Sequence, residues 1–467
     1  MYIGFDYGSA NCAVGLFNGD SVSLLPLDGD DSYLSSTLYS YDSALIAEAV
    51  LARLPEELAP GYRHARAAEL SRAAKARRDW DLAPNEQTVF VGRAAIEHYL
   101  EFPGEGFYVR SPKSFLGAVG LRPEQQALFE DIVTLMMQEI KARAERVLGS
   151  VIRGAVIGRP VNFQGIGGED SNRQAESILR LAAARAGLEE VSFLYEPLAA
   201  GFDFEARLEA DATVLVVDVG GGTTDCSLVR MGPSHKSAID RSQDCLGHSG
   251  QRIGGNDLDI ALAMQAFMPS FGLGSNLVTG KPMPSQPFWQ AVAVNDVSAQ
   301  REFAALATGN LIKELKKDAS QPELLTRFER LRSRQQNFHL VRLAEAVKVA
   351  LGEADSARTG LPNGEEELEI GRLDFNNAIG PQLEKIAALM HSAVQNSVVQ
   401  NSSAQNTAVQ NVGAAPDIVY MTGGSSRCQA VAERIGQVYP GVPVVSGDHF
   451  GSVTAGLARA AAALNRK

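Results

Sequence analysis

The sequence is poor in cysteine and has no long apolar run. Its four cysteines, Cys12, Cys226, Cys245 and Cys428, form no C-x-x-C pair and no cluster with zinc-site spacing, so we expect reduced thiols. No stretch approaches the roughly 18 apolar residues of a membrane helix. The N-terminal MYIGFDYGSANC has no basic segment and is interrupted by Asp6, so we expect no secretory signal. These features indicate a cytoplasmic protein.

Basic residues are also in the minority. The 467 residues include 43 Lys and Arg against 55 Asp and Glu, a net charge of −12. A chain this acidic is a poor candidate for general binding to nucleic acid or anionic membranes, so we expect neither as a partner. The 45% hydrophobic and 21% charged content is typical of a globular protein with a sizeable core.

Apolar strands alternate with amphipathic helices along the chain, which favours an α/β architecture. The predicted strands are 2–6, 12–17, 154–160, 191–197 and two within 213–231. The predicted helices lie within 44–79, 124–148, 171–188 and 337–355. Residues 269–298 are rich in Pro, Gly and Ser and predict an irregular insertion.

A tandem repeat occupies residues 394–412, where [Val/Ala]-Gln-Asn recurs every five residues. A period of five matches neither the 3.6-residue period of a helix nor the two-residue period of a strand. The repeat therefore predicts a surface loop, with a polar interaction segment as the alternative.

Two segments share a pattern that suggests a phosphate site. In both YIGFDYGSANCAVGLF and VVDVGGGTTDCSLV an apolar strand meets an aspartate, one residue, a glycine, small polar residues and a second apolar strand. Asp6 corresponds to Asp218, and Gly8 corresponds to Gly220. One such stretch alone could be a polar hairpin, but two copies about 200 residues apart predict two similar lobes facing one ligand.

The residue types in these stretches suit a magnesium nucleotide. Glycines let backbone N–H groups approach a phosphate, and the hydroxyls of Ser9, Thr223 and Thr224 add donors. The carboxylates of Asp6 and Asp218 would repel a bare polyphosphate, but they can hold Mg²⁺ through its waters. A third strand-and-glycine element, IVYMTGGSSRCQAV at 418–431, is predicted to hold the nucleoside end.

Together these motifs resemble the actin, sugar-kinase and heat-shock ATPase superfamily. The match is to the nucleotide-binding domain of the DnaK chaperones, and within that branch to the short YegD-type proteins. The resemblance implies an α/β, actin-like ATPase fold with two similar lobes flanking a nucleotide cleft, each with an inserted outer subdomain. It implies lobe I at 1–209 with an outer subdomain at about 37–111, lobe II at 210–445 with an outer subdomain at about 255–374, and a returning segment at 446–467.

The resemblance also implies ATP or ADP with Mg²⁺ as ligands and assigns residues to them. Asp6 and Asp218 are expected at the metal, and Glu196 in YEPLAAG is expected to orient magnesium waters or the attacking water. The residues expected to contact the nucleotide are Gly8, Ser9, Ala10, Asn11, Gly220, Gly221, Gly222, Thr223, Thr224, Glu345, Lys348, Gly423, Gly424, Ser425, Arg427 and Asp448.

Several positions depart from the family pattern. The family has a catalytic lysine after the strand that here reads VFVGRAAI, and this chain has Ile96 there. Lys113 lies nearby in the sequence but has no assigned role at this point. Val349 stands where the family often has an arginine that stacks on the base, and Gly352 replaces a serine. We also expect no peptide-binding β-sandwich after RAAAALNRK.

The leading interpretation is therefore a nucleotide-dependent conformational switch with possible slow ATP hydrolysis and a chaperone or stress-related role, acting with an unidentified protein partner or client. The alternative is a pseudo-ATPase scaffold that acts through protein binding, which Ile96 favours. A small-molecule kinase is a third hypothesis, and a filament-forming, actin-like role is a fourth. No sugar-kinase signature supports the kinase.

Overall fold

The computed structural model describes residues 1–101, 105–163, 168–235, 244–362, 364, 366–403, 415–447 and 451–464. Its strands are β1 Tyr2–Tyr7, β2 Asn11–Phe17, β3 Val22–Leu24, β4 Leu34–Ser35, β5 Thr37–Ser40, β6 Val89–Val91, β7 Phe107–Arg110, β8 Gly154–Arg159, β9 Glu190–Tyr195, β10 Ala212–Val219, β11 Thr224–Met231, β12 Cys245–Gln251, β13 Ser356–Gly360, β14 Glu367–Gly371, β15 Ile418–Thr422 and β16 Val444–Ser446.

The helices alternate with these strands. They are α1 Leu45–Leu51, α2 Ala59–Ala65, α3 Ala67–Asp79, α4 Arg93–Glu101, α5 Pro123–Leu148, α6 Gly168–Arg185, α7 Glu196–Glu205, α8 Gly255–Leu262, α9 Gln286–Val292, α10 Val297–Ala304, α11 Leu306–Asp318, α12 Pro322–Ser333, α13 Asn337–Ala350, α14 Arg372–Ser403, α15 Gln429–Val438 and α16 Gly451–Leu464. The predicted α/β alternation is confirmed.

Each of the two sequence-predicted hairpins belongs to a mixed sheet that contains both parallel and antiparallel strand pairs. The first sheet has the strand order β3-β2-β1-β8-β9, with β4 beside β2, and the second has the order β12-β11-β10-β15-β16. In each sheet the two hairpin strands are antiparallel, and the first of them pairs in parallel with a strand from much later in the chain. The two sheets therefore share one connection pattern.

Two smaller sheets lie in the segments between these strands. The segment between β4 and α5, here called the first insertion, carries the sheet β6-β5-β7. The segment between β12 and β15, here called the second insertion, carries the pair β13-β14. Helices α1 to α3 form the Ala- and Arg-rich part of the first insertion, as predicted for 44–79. Among the described residues, no helix combines the length and apolar character needed to cross a bilayer.

Helices α7 and α16 share an apolar core with strands of both large sheets. This core includes Val156 of the first sheet, Val216 of the second, Ala199 of α7 and Leu457 of α16. Gly4 of β1 lies so close to α16 that a Cβ atom there would be 2.2 Å from the Ala458 nitrogen. The helix that ends the described chain is thus fixed against the strand that begins it.

The structure corrects the loop prediction for 394–412. Residues 394–403 continue helix α14, whereas 404–412 lie outside the described residues. Ala393, Val394 and Ser397 are all buried, and their spacing of one and four residues places them on one helical face. The first repeat unit therefore satisfies the helical period, and the helix established upstream continues through it.

The irregular insertion predicted at 269–298 is only partly irregular. Residues 286–292 form helix α9, and Phe288 in it is fully buried against Phe328, with ring centroids 4.4 Å apart. The prediction failed at this helix because proline stands at its N-terminal end, where its missing N–H group costs nothing.

Candidate active site

Two glycine turns face each other at the ends of β1 and β10. The turn Gly8–Ala10 joins β1 to β2, and the turn Gly220–Thr223 joins β10 to β11. A Cβ atom built on Gly221 would lie 2.5 Å from the Ala10 Cβ atom, and one on Gly222 would lie 2.8 Å from the Ser9 Cβ atom. The two turns approach this closely because Gly221 and Gly222 of the second turn have no side chains.

A cavity of about 380 Å³ lies at these turns, within the usual range of about 300–1,000 Å³ for small-molecule sites. Most of the predicted site residues line it: Asp6, Gly8, Ser9, Ala10, Asn11, Glu196, Asp218, Gly220, Gly221, Gly222, Thr223, Glu345, Lys348, Gly423, Gly424, Ser425 and Arg427. Thr224 does not line the cavity, because its hydroxyl points away and donates to the Ile253 carbonyl at 2.8 Å. Asp448 lies outside the described residues.

The close approach of the turns predicts the effect of adding one methyl group. We expect Gly221→Ala to lower the free energy of unfolding by about 1–3 kcal/mol, because the new Cβ atom collides with Ala10. Urea unfolding measures this effect. Gly380→Ala in α14 is the matched control, since a Cβ atom there meets nothing within 4 Å. Unchanged stability in Gly221→Ala would contradict the tight approach.

Four carboxylates and one ammonium group lie together beneath the turns. The Lys113 ammonium group donates to a carboxylate oxygen of Glu196, and both side chains are almost fully buried. Asp6 accepts a hydrogen bond from the Thr454 hydroxyl of α16 at 3.4 Å. Asp225, which is opposite Asp218 across the β10–β11 pair, accepts from the Val161 backbone N–H at 2.8 Å.

This cluster carries more negative than positive charge in a buried place. Burial and the charge of Glu196 raise the pKa of Asp6 to about 7 and that of Asp225 to about 7. Burial, Glu196, Asp225 and Asp6 raise the pKa of Asp218 well above its usual value. Burial would lower the pKa of Lys113, but Glu196 and Asp6 raise it overall, so the ammonium group stays charged. A bound cation would therefore be stabilised by this cluster.

The raised pKa of Asp225 predicts a pH-dependent stability. The unfolded chain releases this proton near pH 3.9, and the folded protein releases it at about 7. The carboxyl group therefore contributes stability below about pH 4 and loses that contribution as the pH rises through 7. We expect Asp225→Asn, which stays neutral, to raise the free energy of unfolding at pH 8 by about 1 kcal/mol or more, with a smaller gain at pH 5.

Urea unfolding in EDTA at pH 5, 6, 7 and 8 measures this difference between wild type and Asp225→Asn. The exposed Asp20, changed to Asn, is the control and should leave the pH curve unchanged. Parallel curves for wild type and Asp225→Asn would show that Asp225 ionises as freely as in the unfolded chain.

The lysine of the site is Lys113, and the sequence-based position at Ile96 is wrong. Ile96 lies in helix α4 and does not line the cavity. Lys113 follows β7, which pairs with β5 on the side opposite β6, so the chain returns to the cavity one strand later than expected. The sequence signal for this lysine was Ser-Pro-Lys at 111–113, which follows an apolar strand. The inserted segment before it made the alignment with the family's lysine ambiguous.

The opposite end of the cavity is formed by α8, α13 and the turn after β15. The Ser425 hydroxyl donates to the Gly220 carbonyl at 2.8 Å, which joins this turn to the second glycine turn. Glu345 and Lys348 of α13 line the cavity. Each also forms an ion pair with a residue outside the cavity lining: Glu345 with Arg110 at 2.9 Å, and Lys348 with Asp259 at 2.7 Å. Val349 and Gly352 line the same end.

Sequence reasoning missed four side chains of the cavity or its support. They are Lys113, Asp225, Asn256 and Asp259. Asp225 stood in the quoted glycine motif, and Asn256 and Asp259 stood in RIGGNDLD, so each had a visible signal. Asn256 donates its backbone N–H to the Gly221 carbonyl at 2.7 Å, which only the folded arrangement reveals.

The donor set fits a hydrated divalent cation. Among the described residues, no group of three or more His, Cys, Asp or Glu is arranged as a direct metal-binding cluster. The carboxylates of Asp6 and Asp218 nevertheless line the cavity beside the glycine turns, where burial and the charge of Glu196 raise the pKa of both groups. Mg²⁺ dehydrates reluctantly and is commonly held by one or two carboxylates through water, which suits this arrangement.

Comparison with known proteins relates the chain to a chaperone family. Residues 119–272 match the sequence model of the Hsp70 protein family. This segment contains Glu196, Asp218 and Asp225, the second glycine turn and Asn256. The part of the chain that forms this side of the cavity is therefore similar to the Hsp70 protein family.

Individual relatives agree with that match. Chaperone protein dnaK3 of Synechococcus elongatus is 31% identical over 189 residues, which are 39% of this chain and 23% of that protein. A chaperone protein HscA homolog of Acinetobacter baumannii is 33% identical over 174 residues, 36% of this chain and 25% of that protein. Chaperone protein DnaK 1 of a Synechococcus species is 31% identical over 189 residues. The matched chain spans about a quarter of the length of these relatives.

Proposed function

We propose that this Hsp70-related chain binds Mg–ATP and Mg–ADP between its two large sheets, hydrolyses ATP slowly and acts as a nucleotide-dependent conformational switch. The observation that carries the proposal is the Lys113–Glu196 pair, set among Asp6, Asp218 and Asp225 beneath two facing glycine turns. A single glycine turn is common, but two turns that enclose a buried acid–lysine cluster suit a polyphosphate with its metal.

The side chains have distinct roles in this proposal. The backbone N–H groups of the two turns bind phosphate oxygens, and Lys113 offsets negative charge that develops on the terminal phosphate. Glu196 holds Lys113 and accepts a hydrogen bond from the attacking water, which it orients in line with the bond that breaks. Mg²⁺, held through water by Asp6 and Asp218, would neutralise charge on the phosphate chain.

The switch follows from the arrangement of the two sheets. We interpret residues 1–209 and 210–445 as two lobes around the cleft, with outer subdomains at about 37–111 and 255–374 and with 446–467 returning to the first lobe. The outer parts touch across the cleft, because the Tyr99 hydroxyl donates to the Gln335 carbonyl at 2.8 Å and the Tyr108 and Phe338 rings pack edge to face. A nucleotide that favours the closed arrangement would shift the population toward it.

The biological setting is also a proposal. The relatives are chaperones by name, so we propose a chaperone or stress-related role in the cytoplasm with a protein partner or client that distinguishes the nucleotide states. The YegD-type subgroup is the branch we propose for the chain.

Single-turnover hydrolysis of Mg–ATP by the purified chain tests the proposal, together with calorimetric binding of ATP and ADP. Binding with slow release of phosphate is the expected result. Binding without any release would favour the pseudo-ATPase scaffold, which has lost its sequence-based support now that Lys113 lies in the site. Absence of binding would refute the nucleotide proposal, and transfer of phosphate to a sugar or acid instead of water would favour a kinase.

A further inference from the structure

Arg110 joins the first insertion to the end of the cavity that is formed by α8, α13 and the turn after β15. We call this the nucleoside end, and the end at the two glycine turns the phosphate end. It ends strand β7, its side chain is 9% exposed, and it does not line the cavity itself. Its Nη2 atom donates to Glu345 at 2.9 Å and to the side-chain Oδ1 atom of Asn256 at 3.3 Å, and it lies 3.6 Å from Asp259. Arg110 thus holds the Glu345 carboxylate in position from outside the cavity lining.

The contacts of Arg110 belong to a partly buried network of two cations and two carboxylates. Asp259 is shared between Arg110 and Lys348, whereas Glu345 pairs with Arg110. Burial would raise the pKa of Glu345, but Arg110 and Lys348 lower it overall, so this carboxylate stays ionised in the cavity wall. A ligand group that binds Glu345 or Lys348 changes how these charges are shared, and the change reaches Arg110.

The chain between Arg110 and the Lys113 of the phosphate end is short and constrained. Ser111 adopts a left-handed conformation with φ of 55°, and the 3-10 turn Pro112–Phe115 follows at once. The Ser111 backbone N–H donates to the Ser36 carbonyl at 2.8 Å, and the Asn256 side chain donates to the Ser111 hydroxyl at 3.0 Å. A displacement of Arg110 is therefore transmitted to Lys113 across two residues instead of being absorbed by a flexible loop.

We propose that Arg110 is a positioning residue that couples occupation of the nucleoside end of the cavity to the placement of Lys113 at the phosphate end. The inference rests on the proposed nucleotide function and deepens it. The chain then distinguishes nucleotides from free polyphosphates, because only a ligand with a nucleoside engages Glu345 and Lys348 and so fixes the β7 turn. Inorganic tripolyphosphate would occupy the glycine turns and leave Lys113 less well placed.

Hydrogen–deuterium exchange of the full chain with adenosine, which has no phosphate, isolates this coupling. In wild type we expect adenosine to slow exchange in α13 and also, about fivefold or more, in residues 107–116. In Arg110→Gln we expect slowing in α13 alone. Arg110→Lys should restore part of the effect, because lysine keeps the charge but lacks the guanidinium fork. The control is Arg358→Gln, which removes an exposed ion pair with Glu369 and should behave as wild type.

The outcomes separate this inference from the proposed function. Equal slowing of residues 107–116 in wild type and Arg110→Gln would overturn the coupling, as would slowing in wild type that stays confined to α13. If Arg110→Gln does not fold, Arg110→Lys carries the test and should show weaker slowing of residues 107–116 than wild type. If neither adenosine nor Mg–ATP slows exchange anywhere in wild type, the nucleotide function itself fails and the coupling fails with it.

A kinetic comparison provides a second readout. We expect wild type to hydrolyse Mg–ATP about tenfold faster than Mg–tripolyphosphate in single turnovers, and Arg110→Gln to hydrolyse both at the slower rate. Equal losses on both substrates would show that Arg110 has a structural role only, and the coupling would be rejected. A higher KM for ATP with unchanged kcat would likewise reject it, because Arg110 would then shape the nucleoside pocket without affecting Lys113.

Discussion

Lys113→Met is expected to slow single-turnover ATP hydrolysis by about a hundredfold or more, with nucleotide affinity changed far less. Methionine keeps most of the length and apolar volume of lysine but cannot donate a hydrogen bond or carry charge. Lys113 is the only cation that contacts Glu196 within the described part of the cavity wall. Charge that develops on the terminal phosphate would then have no ammonium group to offset it.

The matched control for this variant is Ile96→Ala. Ile96 occupies the position where sequence comparison placed the lysine, but it lies outside the cavity, so its replacement should leave hydrolysis unchanged. Glu196 becomes a buried carboxylate without its partner in Lys113→Met, and this lowers stability. The double variant Lys113→Met/Glu196→Gln removes that unpaired charge and should regain stability without regaining hydrolysis. Normal hydrolysis by Lys113→Met would refute the assignment of Lys113 to the site chemistry.

Asp218→Asn is expected to abolish the dependence of ATP binding on Mg²⁺ and to reduce hydrolysis by at least about a hundredfold. Asp218 lies at the end of β10 and is 6% exposed. Asparagine has almost the same shape but no charge, so it cannot help to hold a divalent cation. Calorimetric titration with ATP in Mg²⁺ and in EDTA gives the metal dependence directly.

The same variant should show opposite effects on function and stability. Burial and the charges of Glu196, Asp225 and Asp6 raise the pKa of Asp218, so its ionised form is costly in the ligand-free protein. Removing the charge should therefore raise the melting temperature of the ligand-free chain at pH 8 while nucleotide binding weakens, as expected where a site stores electrostatic strain. Asp20→Asn on the surface is the control. A variant that loses both binding and stability would point to a structural role for Asp218.

Much of the fold could be predicted from local patterns. The strands at 2–6 and 12–17 appear as β1 and β2, the helix at 124–148 appears as α5, and Met136 and Met137 are fully buried in it. These elements have strong hydrophobic periodicity, which depends only on neighbours within a few residues. Predictions failed at 394–403 and 286–292, where a helix established by its surroundings continued or formed despite an unfavourable composition.

The candidate site divides in the same way. The glycine turns and their aspartates could be recognised from the sequence, because a tight turn at a strand end is a local feature and occurs twice. Asn256 and Asp259 were inside a recognised segment, yet their contacts with Gly221 and Lys348 depend on packing between elements far apart in the chain. The sequence shows which residues can bind a phosphate but not which of them are already engaged by other side chains.

The sequence by itself determined the α/β pattern, the two glycine turns and the aspartates that precede them, because each depends on interactions between near neighbours. Only the tertiary structure decided which lysine enters the cavity. The order of β5, β6 and β7 carries the chain past Ile96 and back to the cavity at Lys113. Strand order is set by pairing across dozens of residues, and the spacing of residues along the chain does not encode it.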